Sequence, residues 1–403
     1  MKKTAYILLA MSALLTAAAS CAKMEKIKDS LEDELISFSW YASRNAQSKA
    51  DATYFVGSAT LGQERHLPVG TSFGVFGYFH PQSNGVAGSW SDASENHPRL
   101  LYNEAVSIGL GANSTYEYNY THSRYWPKNT LDRMSFIAYY PWNELNTTGT
   151  ASVNEIVEPF LDSGYQRDGM VGFYYTVPQD ARNHIDFMVS DLCKDQSWAL
   201  WNSDNTKGLT GNDNGKVKMF FHHALSQVRI KSVSFDTGGN NDVELRINYI
   251  IFNNIPVFGQ CIPVPDFSTT TVTGRTTVTP TWPVATLSTR RPDLTSGITA
   301  HLCYDEEHDV WNTEQILLMI PHQFFDDATV EVNFDIKRKT SAAGEHYEYE
   351  NNTLSATLRT TELYAWQAGK IYNYNISLRQ KEINVTADVV PWLDAGEDVI
   401  LDN

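Results

Sequence analysis

His222 and His223 are the most metal-like pair in the sequence, because imidazole nitrogens are good ligands for zinc and copper. The pattern from Lys216 to Phe221 predicts a strand, and adjacent strand residues point to opposite faces. The two rings therefore do not converge on one ion, and no metal is expected. Cys193, Cys261 and Cys303 lie too far apart for the paired spacing of a zinc site. Two states stay open for them in an oxidising compartment: a Cys261 to Cys303 bridge, or three buried free thiols. Carboxylates that could do acid–base work occur at Asp305-Glu306-Glu307 and between Glu345 and Glu350, in polar stretches expected to be solvated loops. A Gly-x-Ser-x-Gly elbow, a phosphate-binding loop and a dinucleotide glycine pattern are all missing from their required strand-to-helix setting. No enzyme activity and no cofactor are expected. Trp90, Trp126, Trp142, Trp198 and Trp201 could stack on sugar rings, although most aromatics of β-sandwiches are core or corner residues.

Cysteine chemistry of another kind is expected at Cys21. Lys2 and Lys3 give a positive start, Ala5 to Leu15 an apolar segment, and Ala17, Ala18, Ala19 and Ser20 a run of small residues, so residues 1–20 read as a secretory signal. Small residues running into a cysteine resemble the lipobox of bacterial lipoproteins, in which the cysteine becomes the N-terminus and carries acyl chains. Ala18 stands where that motif usually has leucine. Each buried methylene contributes about 0.8 kcal/mol, so several chains on Cys21 would hold the protein on a membrane. No later segment offers about 20 uninterrupted apolar residues, the length a spanning helix needs. Residues 21–34, polar and mixed in charge, suit a tether.

The elements that must carry these residues are strands. Among 403 residues, 12% are aromatic, too many for a disordered chain, and short Val/Ile/Thr/Tyr/Phe stretches alternate with Gly, Asn, Asp and Pro. The formal charge is 31 − 47 = −16, which argues against nucleic acid as a partner. Ile36, Phe38 and Trp40 alternate with serines as a half-buried strand requires. Residues 42–66, with Arg44, Lys49 and Arg65 among Ser, Ala, Asn and Gly, predict a long exposed loop. Further strands are expected at 73–79, 100–102, 116–125 and 134–141. After a polar stretch at 202–215 others follow at 216–221, 228–235, 244–252, 316–320, 330–336, 353–358, 370–378 and 383–389. The Thr-rich run 268–289, with Pro280 and Pro283, predicts loop or edge strand. The spacing argues for two β-sandwiches, 35–215 and 216–403.

An ordered series of segments resembles the fimbrillin family, lipoproteins that build type V pili of Gram-negative anaerobes. In the first half it comprises Ile36-Ser37-Phe38-Ser39, Phe73-Gly74-Val75-Phe76-Gly77-Tyr78, Leu101-Tyr102-Asn103-Glu104-Ala105-Val106, Tyr125-Trp126-Pro127, Ser135 to Pro141 and Asp186 to Ser190. The second half adds Phe221 to Val228, Leu318 to Gln323, Trp366 to Tyr374 and Val390-Pro391-Trp392. The resemblance implies two transthyretin-like sandwich domains in tandem, lipoprotein export to the outer membrane and cell surface, and maturation by a trypsin-like protease. In that family the protease removes the N-terminal strand, and the C-terminal segment of another subunit fills the groove by donor-strand exchange. Carried over by position, the strand lost is Leu35 to Tyr41, the cut follows Arg44, with Lys49 or Arg65 as alternatives, and the donor lies between Ile383 and Leu401. Partners implied are other pilus subunits, the protease, the membrane through lipid, and a host or glycan ligand. The runner-up reading is a monomeric surface lipoprotein that binds glycan.

Overall fold

The computed structural model describes residues 35–41, 67–90, 98, 100–112, 116–145, 155–160, 171–179, 183–197, 216–236, 243–270, 274–286, 297–300, 303–305, 310–312, 316–339, 347–360, 363–379 and 382–392. They form an all-β protein, as expected. The chain begins with β1 (Ser37–Tyr41), β2 (Ser72–His80), β3 (Leu101–Leu110), β4 (Tyr116–Asn119) and β5 (Arg133–Tyr140). Next come β6 (Val157–Phe160), β7 (Gly172–Thr176), β8 (Met188–Ser190), β9 (Leu192–Gln196) and β10 (Lys216–His223). β11 (Ser226–Phe235), β12 (Val243–Asn253), β13 (Phe258–Pro265), β14 (Arg275–Thr276), β15 (Val278–Thr286) and β16 (Ile298–Ala300) follow. The last are β17 (Cys303–Asp305), β18 (Val310–Asn312), β19 (Ile316–Met319), β20 (His322–Gln323), β21 (Thr329–Lys339), β22 (Tyr347–Thr357), β23 (Ala365–Trp366), β24 (Lys370–Arg379) and β25 (Glu382–Pro391).

Most of these strands build four sheets. A nine-stranded sheet runs β1-β10-β8-β5-β2-β3-β4, with β9 beside β5 and β14 beside β9. Strand period 2 explains how this sheet serves two cores at once. Phe73 and Val75 of β2 and Phe136 and Ala138 of β5 point into the core that the curled sheet encloses, while Phe76, Tyr78, Ile137 and Tyr139 point outward into a second core. Gly74 is required there, because a Cβ would fall 2.1 Å from the Tyr139 ring. The second core is closed by the sheet β15-β13-β7-β6, and Phe173 of β7 lies with its ring centroid 4.8 Å from that of Tyr139.

The remaining four-stranded sheets, β19-β11-β24-β25 and β16-β12-β21-β22, pack face to face. Phe252 of β12 meets Tyr374 of β24 at 5.5 Å, and Phe235 of β11 meets Phe334 of β21 at 6.3 Å. The first pair is edge-on and the second tilted, and aromatic pairs at such distances add about 0.5–1.5 kcal/mol each to the burial of their area.

Sequence order and spatial order part company around the expected boundary at 215/216. β10 pairs with β8 and β1 of the nine-stranded sheet, β13 pairs with β7, and β14 pairs with β9. Residues after 215 thus complete sheets begun by residues before it. The Thr-rich run forms β14 and the edge strand β15, where Pro280 and Pro283 are tolerated because an edge leaves one row of backbone groups without a ladder to complete. Glu348 and Glu350, expected in a loop, stand exposed on the edge strand β22.

His322 illustrates how the apolar packing sets a pH dependence. Its ring lies 5.4 Å from Trp366 and 5.5 Å from Phe324, Nδ1–H donates to the Ile320 carbonyl at 2.8 Å, and burial lowers its pKa from 6.5 to about 4. The unfolded chain takes up this proton as pH falls through 6.5, and the folded protein does not until about pH 4. The contribution of neutral His322 is therefore full above pH 6.5 and is lost on acidification to pH 4, by an amount on the order of 3 kcal/mol. Urea unfolding at pH 7.0 and 4.5 should show a smaller stability loss for His322→Gln than for the wild-type chain; equal losses would refute this assignment.

Candidate functional site

β1 is the strand on which the proposed chemistry of assembly turns, and its surroundings define a slot. It runs parallel to β10, in register from Ser37↔Lys216 to Tyr41↔Phe220. A parallel pair has no short hairpin to hold it, so β1 reaches its place through a long connection. On its other side Leu35 bridges Tyr125, the Ile36 N–H donates to the Arg124 carbonyl at 2.9 Å, and the Tyr120 hydroxyl donates to the Ile36 carbonyl at 2.6 Å. The strand thus closes the curled sheet between β10 and the segment after β4.

Phe38 of β1 and Ile36, which continues its alternation one residue before the strand, fill the enclosed core. Ile36 is 0% and Phe38 1% exposed. The Phe38 ring meets Phe136 at 5.6 Å and Tyr120 at 5.7 Å, both edge-on, and shares its core with Trp126, Val217, Met219 and Phe221. Taking β1 away would leave Lys216 to Phe220 of β10 without a ladder partner on that side and an apolar trough where Ile36 and Phe38 had been. Sheet edges of that kind are templates for another strand.

The other end of the chain looks different. β25 pairs antiparallel with β24 along its length, from Arg379↔Glu382 to Lys370↔Pro391. Ile383, Val385 and Ala387 pack against the core of the second sandwich, while Val389 and Val390 are 48% and 41% exposed. The expected donor strand is therefore an edge strand of its own sheet through Pro391; residues 393–403 lie outside the described residues.

Cys21 and Arg44 likewise lie outside them, as do Trp198 and Trp201. His222 and His223 do point apart. His222 Nε2 donates to Asp191 Oδ1 at 2.6 Å and His223 Nδ1 to Asp186 Oδ2 at 2.8 Å. Asp191, fully buried, also accepts from the Arg275 guanidinium and from the Val278 N–H at 3.1 Å. Among the described residues no group of three His, Cys, Asp or Glu side chains is arranged to hold a metal. Cys193 and Cys261 are buried free thiols, which removes the Cys261 to Cys303 bridge. Burial, and then the nearby Asp191 charge, push Cys193 up to about 12 against the lowering effect of Arg275, and burial holds Cys261 well above the ordinary range. Trp90 and Trp126 are core residues, so of the described tryptophans named as sugar platforms only Trp142, 36% exposed, faces solvent.

The sequence profile of the fimbrillin-like family matches residues 67–392, most of the chain and every described strand except β1. No curated protein sequence matches. Among solved structures, a fimbrial protein from Bacteroides vulgatus superposes with a TM-score of 0.56 at 16% identity, covering 89% of this chain and 100% of its own. A protein of Bacteroides uniformis provisionally assigned to cell adhesion gives 0.44 at 14% identity, covering 89% of this chain and 99% of its own. The C-terminally truncated tip fimbrial protein Mfa3 of Porphyromonas gingivalis gives 0.29 at 9% identity, covering 80% and 95%. The chain belongs to the fimbrillin-like family, whose members are pilus subunits and adhesins of the cell surface.

Proposed function

We propose that the chain is exported as a lipoprotein through Cys21, is cut after Arg44 by a trypsin-like protease, and enters a surface filament by accepting a strand of another subunit in the slot of β1. The observation that supports this most is the position of β1. Phe38 and the preceding Ile36 are buried and segment 36–41 closes the sheet by backbone bonds on both sides, yet the polar sequence 42–66 that follows carries Arg44, Lys49 and Arg65. Such connections are preferred sites of proteolysis. Uncut, β1 competes from a high effective concentration against any strand in solution, and the precursor stays monomeric. Cut, it is held by non-covalent contacts alone and can be displaced.

The pairing of β25 with β24 narrows the role. A repeating subunit both accepts and donates a strand, whereas donation of residues 383–391 here requires stripping β25 from its sheet. We therefore place the chain at an end of the filament, accepting and not donating. The glycan-binding monomer keeps only Trp142 among the described tryptophans named for it, since Trp90 and Trp126 belong to the core.

Purified mature protein treated with trypsin should release the fragment containing β1 under mild denaturant, take up one donor strand from a related subunit, and form no filament alone by gel filtration or electron microscopy. Arg44→Ala should slow the cut, and Phe38→Ala, which removes a core ring worth about 3–5 kcal/mol, should speed release of the fragment from nicked protein. Equal strand uptake by uncut protein would rule out the acceptor role. Filaments from nicked protein alone, lost on truncation before Ile383, would rule out the terminal position.

The lipid claim has its own test. Cys21→Ala should move the protein from the membrane to the soluble fraction and abolish incorporation of labelled palmitate; a wild-type chain that never takes up the label would sink it.

A further inference from the structure

β10 touches both ends of the described chain. Its first five residues pair with β1, and its last three pair with β8, from Phe221↔Ser190 to His223↔Met188. At His223 it meets Trp392, the residue that follows β25. The imidazole lies flat on the indole, with ring centroids 3.6 Å apart and planes 13° from parallel. The Asp186 carboxylate, accepting from His223 Nδ1, fixes the rotation of that imidazole, and both side chains are buried. The main chain fastens the same point: the Trp392 N–H donates to the Gly369 carbonyl at 2.7 Å, and the Gly369 N–H donates to the Leu225 carbonyl at 3.0 Å.

Trp392 stands out against its neighbours. Residues Asp388 to Pro391 are exposed, so the end of β25 has no other side chain in a core, while Trp392 is only 8% exposed. Among the described strands β25 is also an edge, with β24 as its one ladder partner. An edge strand whose last turn of alternation faces water is expected to fray from that end, and the stacked indole opposes it.

We infer that Asp186, His223 and Trp392 form a clasp that fastens the C-terminal strand to β10, and that β1, paired with the same strand, sets how firmly the clasp holds. Loss of β1 takes from β10 the backbone partners of Lys216 to Phe220 and the packing of Ile36 and Phe38 beside Val217, Met219 and Phe221. The strand then keeps ladder pairing to β8 only over its last three residues. The platform under Trp392 loosens, and the end of β25 opens more often. An empty slot at one end of the chain is thereby reported at the other. The second half of this inference rests on the removal of β1 proposed above; the clasp itself does not.

Hydrogen exchange on the full mature chain separates the two. Trp392→Ala should speed exchange of the amides of 383–391 by about tenfold or more, the loss expected for a buried stacked ring, with β12 and β21 unchanged. His223→Gln should give part of the same effect, and Trp392→Phe should retain most of the protection. Wild-type protein nicked after Arg44 and freed of its N-terminal fragment should show the same local acceleration at 383–391. Unchanged exchange in both Trp392→Ala and His223→Gln would overturn the clasp. Protection of 383–391 that survives removal of the fragment would overturn the link to β1, and strand uptake by that same sample would show that the acceptor function stands without it.

Discussion

Each strand in a sheet carries two rows of backbone groups, and burying either row without a partner costs about 1–3 kcal/mol per group. β10 is where that constraint bears hardest. One row faces β1, the other faces β8, its odd residues Val217, Met219 and Phe221 line the enclosed core, and Ala224 and Leu225 just beyond it enter the second core. No other described strand joins the N-terminal segment to the rest of the chain by ladder pairing. Loss of β1 would therefore leave Lys216 to Phe220 of β10 without a ladder partner on that side.

The buried carboxylate of Asp191 makes the junction around β10 stiff. An isolated charge in a core is untenable, and a paired one contributes little net stability, yet removing one partner from such a set costs about 3–5 kcal/mol. Asp191 takes hydrogen bonds from His222 of β10, Arg275 of β14 and the backbone of Val278 in β15, and the Arg275 guanidinium also lies 4.0 Å over the Phe220 ring. These contacts lock the face of β10 opposite the enclosed core to strands that come 50 residues later.

Much of this was legible in the sequence, for reasons that local pattern explains. Ile36 and Phe38 alternate with serines because one face of β1 is buried, and the Phe-Gly-Val-Phe-Gly-Tyr segment is a central strand whose first glycine yields space to Tyr139. The opposite orientations of His222 and His223 followed from strand geometry alone. Their partners did not, since Asp191 and Asp186 lie 31 and 37 residues away and only the folded sheet brings them near. β7 was missed because Gly172 to Thr176 is buried on both faces and so shows no alternation. β13 was missed because it contains Pro263 and Pro265; its pairing with β7 stops at Cys261, so both prolines lie where β15 is its ladder partner on one side. The interleaving of β6 and β7 with β13 and β15 is a long-range pairing that no composition boundary at 202–215 announces.

β1 and β25 are the hardest pair to tell apart by pattern, since both alternate over a few residues near an end of the chain. Packing distinguishes them. β1 drives two side chains to full burial in a core it helps to close, so whatever replaces it must bring apolar groups at the same spacing. β25 presses Ile383, Val385 and Ala387 only partly into its sandwich and then turns outward, so its attachment depends on the ladder to β24 and on Trp392 at its end. Exchange of a strand in the first position conserves hydrogen bonds and apolar contacts alike, which leaves the tether as the chief difference between self and donor. Exchange in the second would leave β24 an open edge that no other described strand covers. The two ends are thus chemically unequal, and under the proposed exchange a contact that joins them is heterologous, so that a subunit accepting without donating would end the filament.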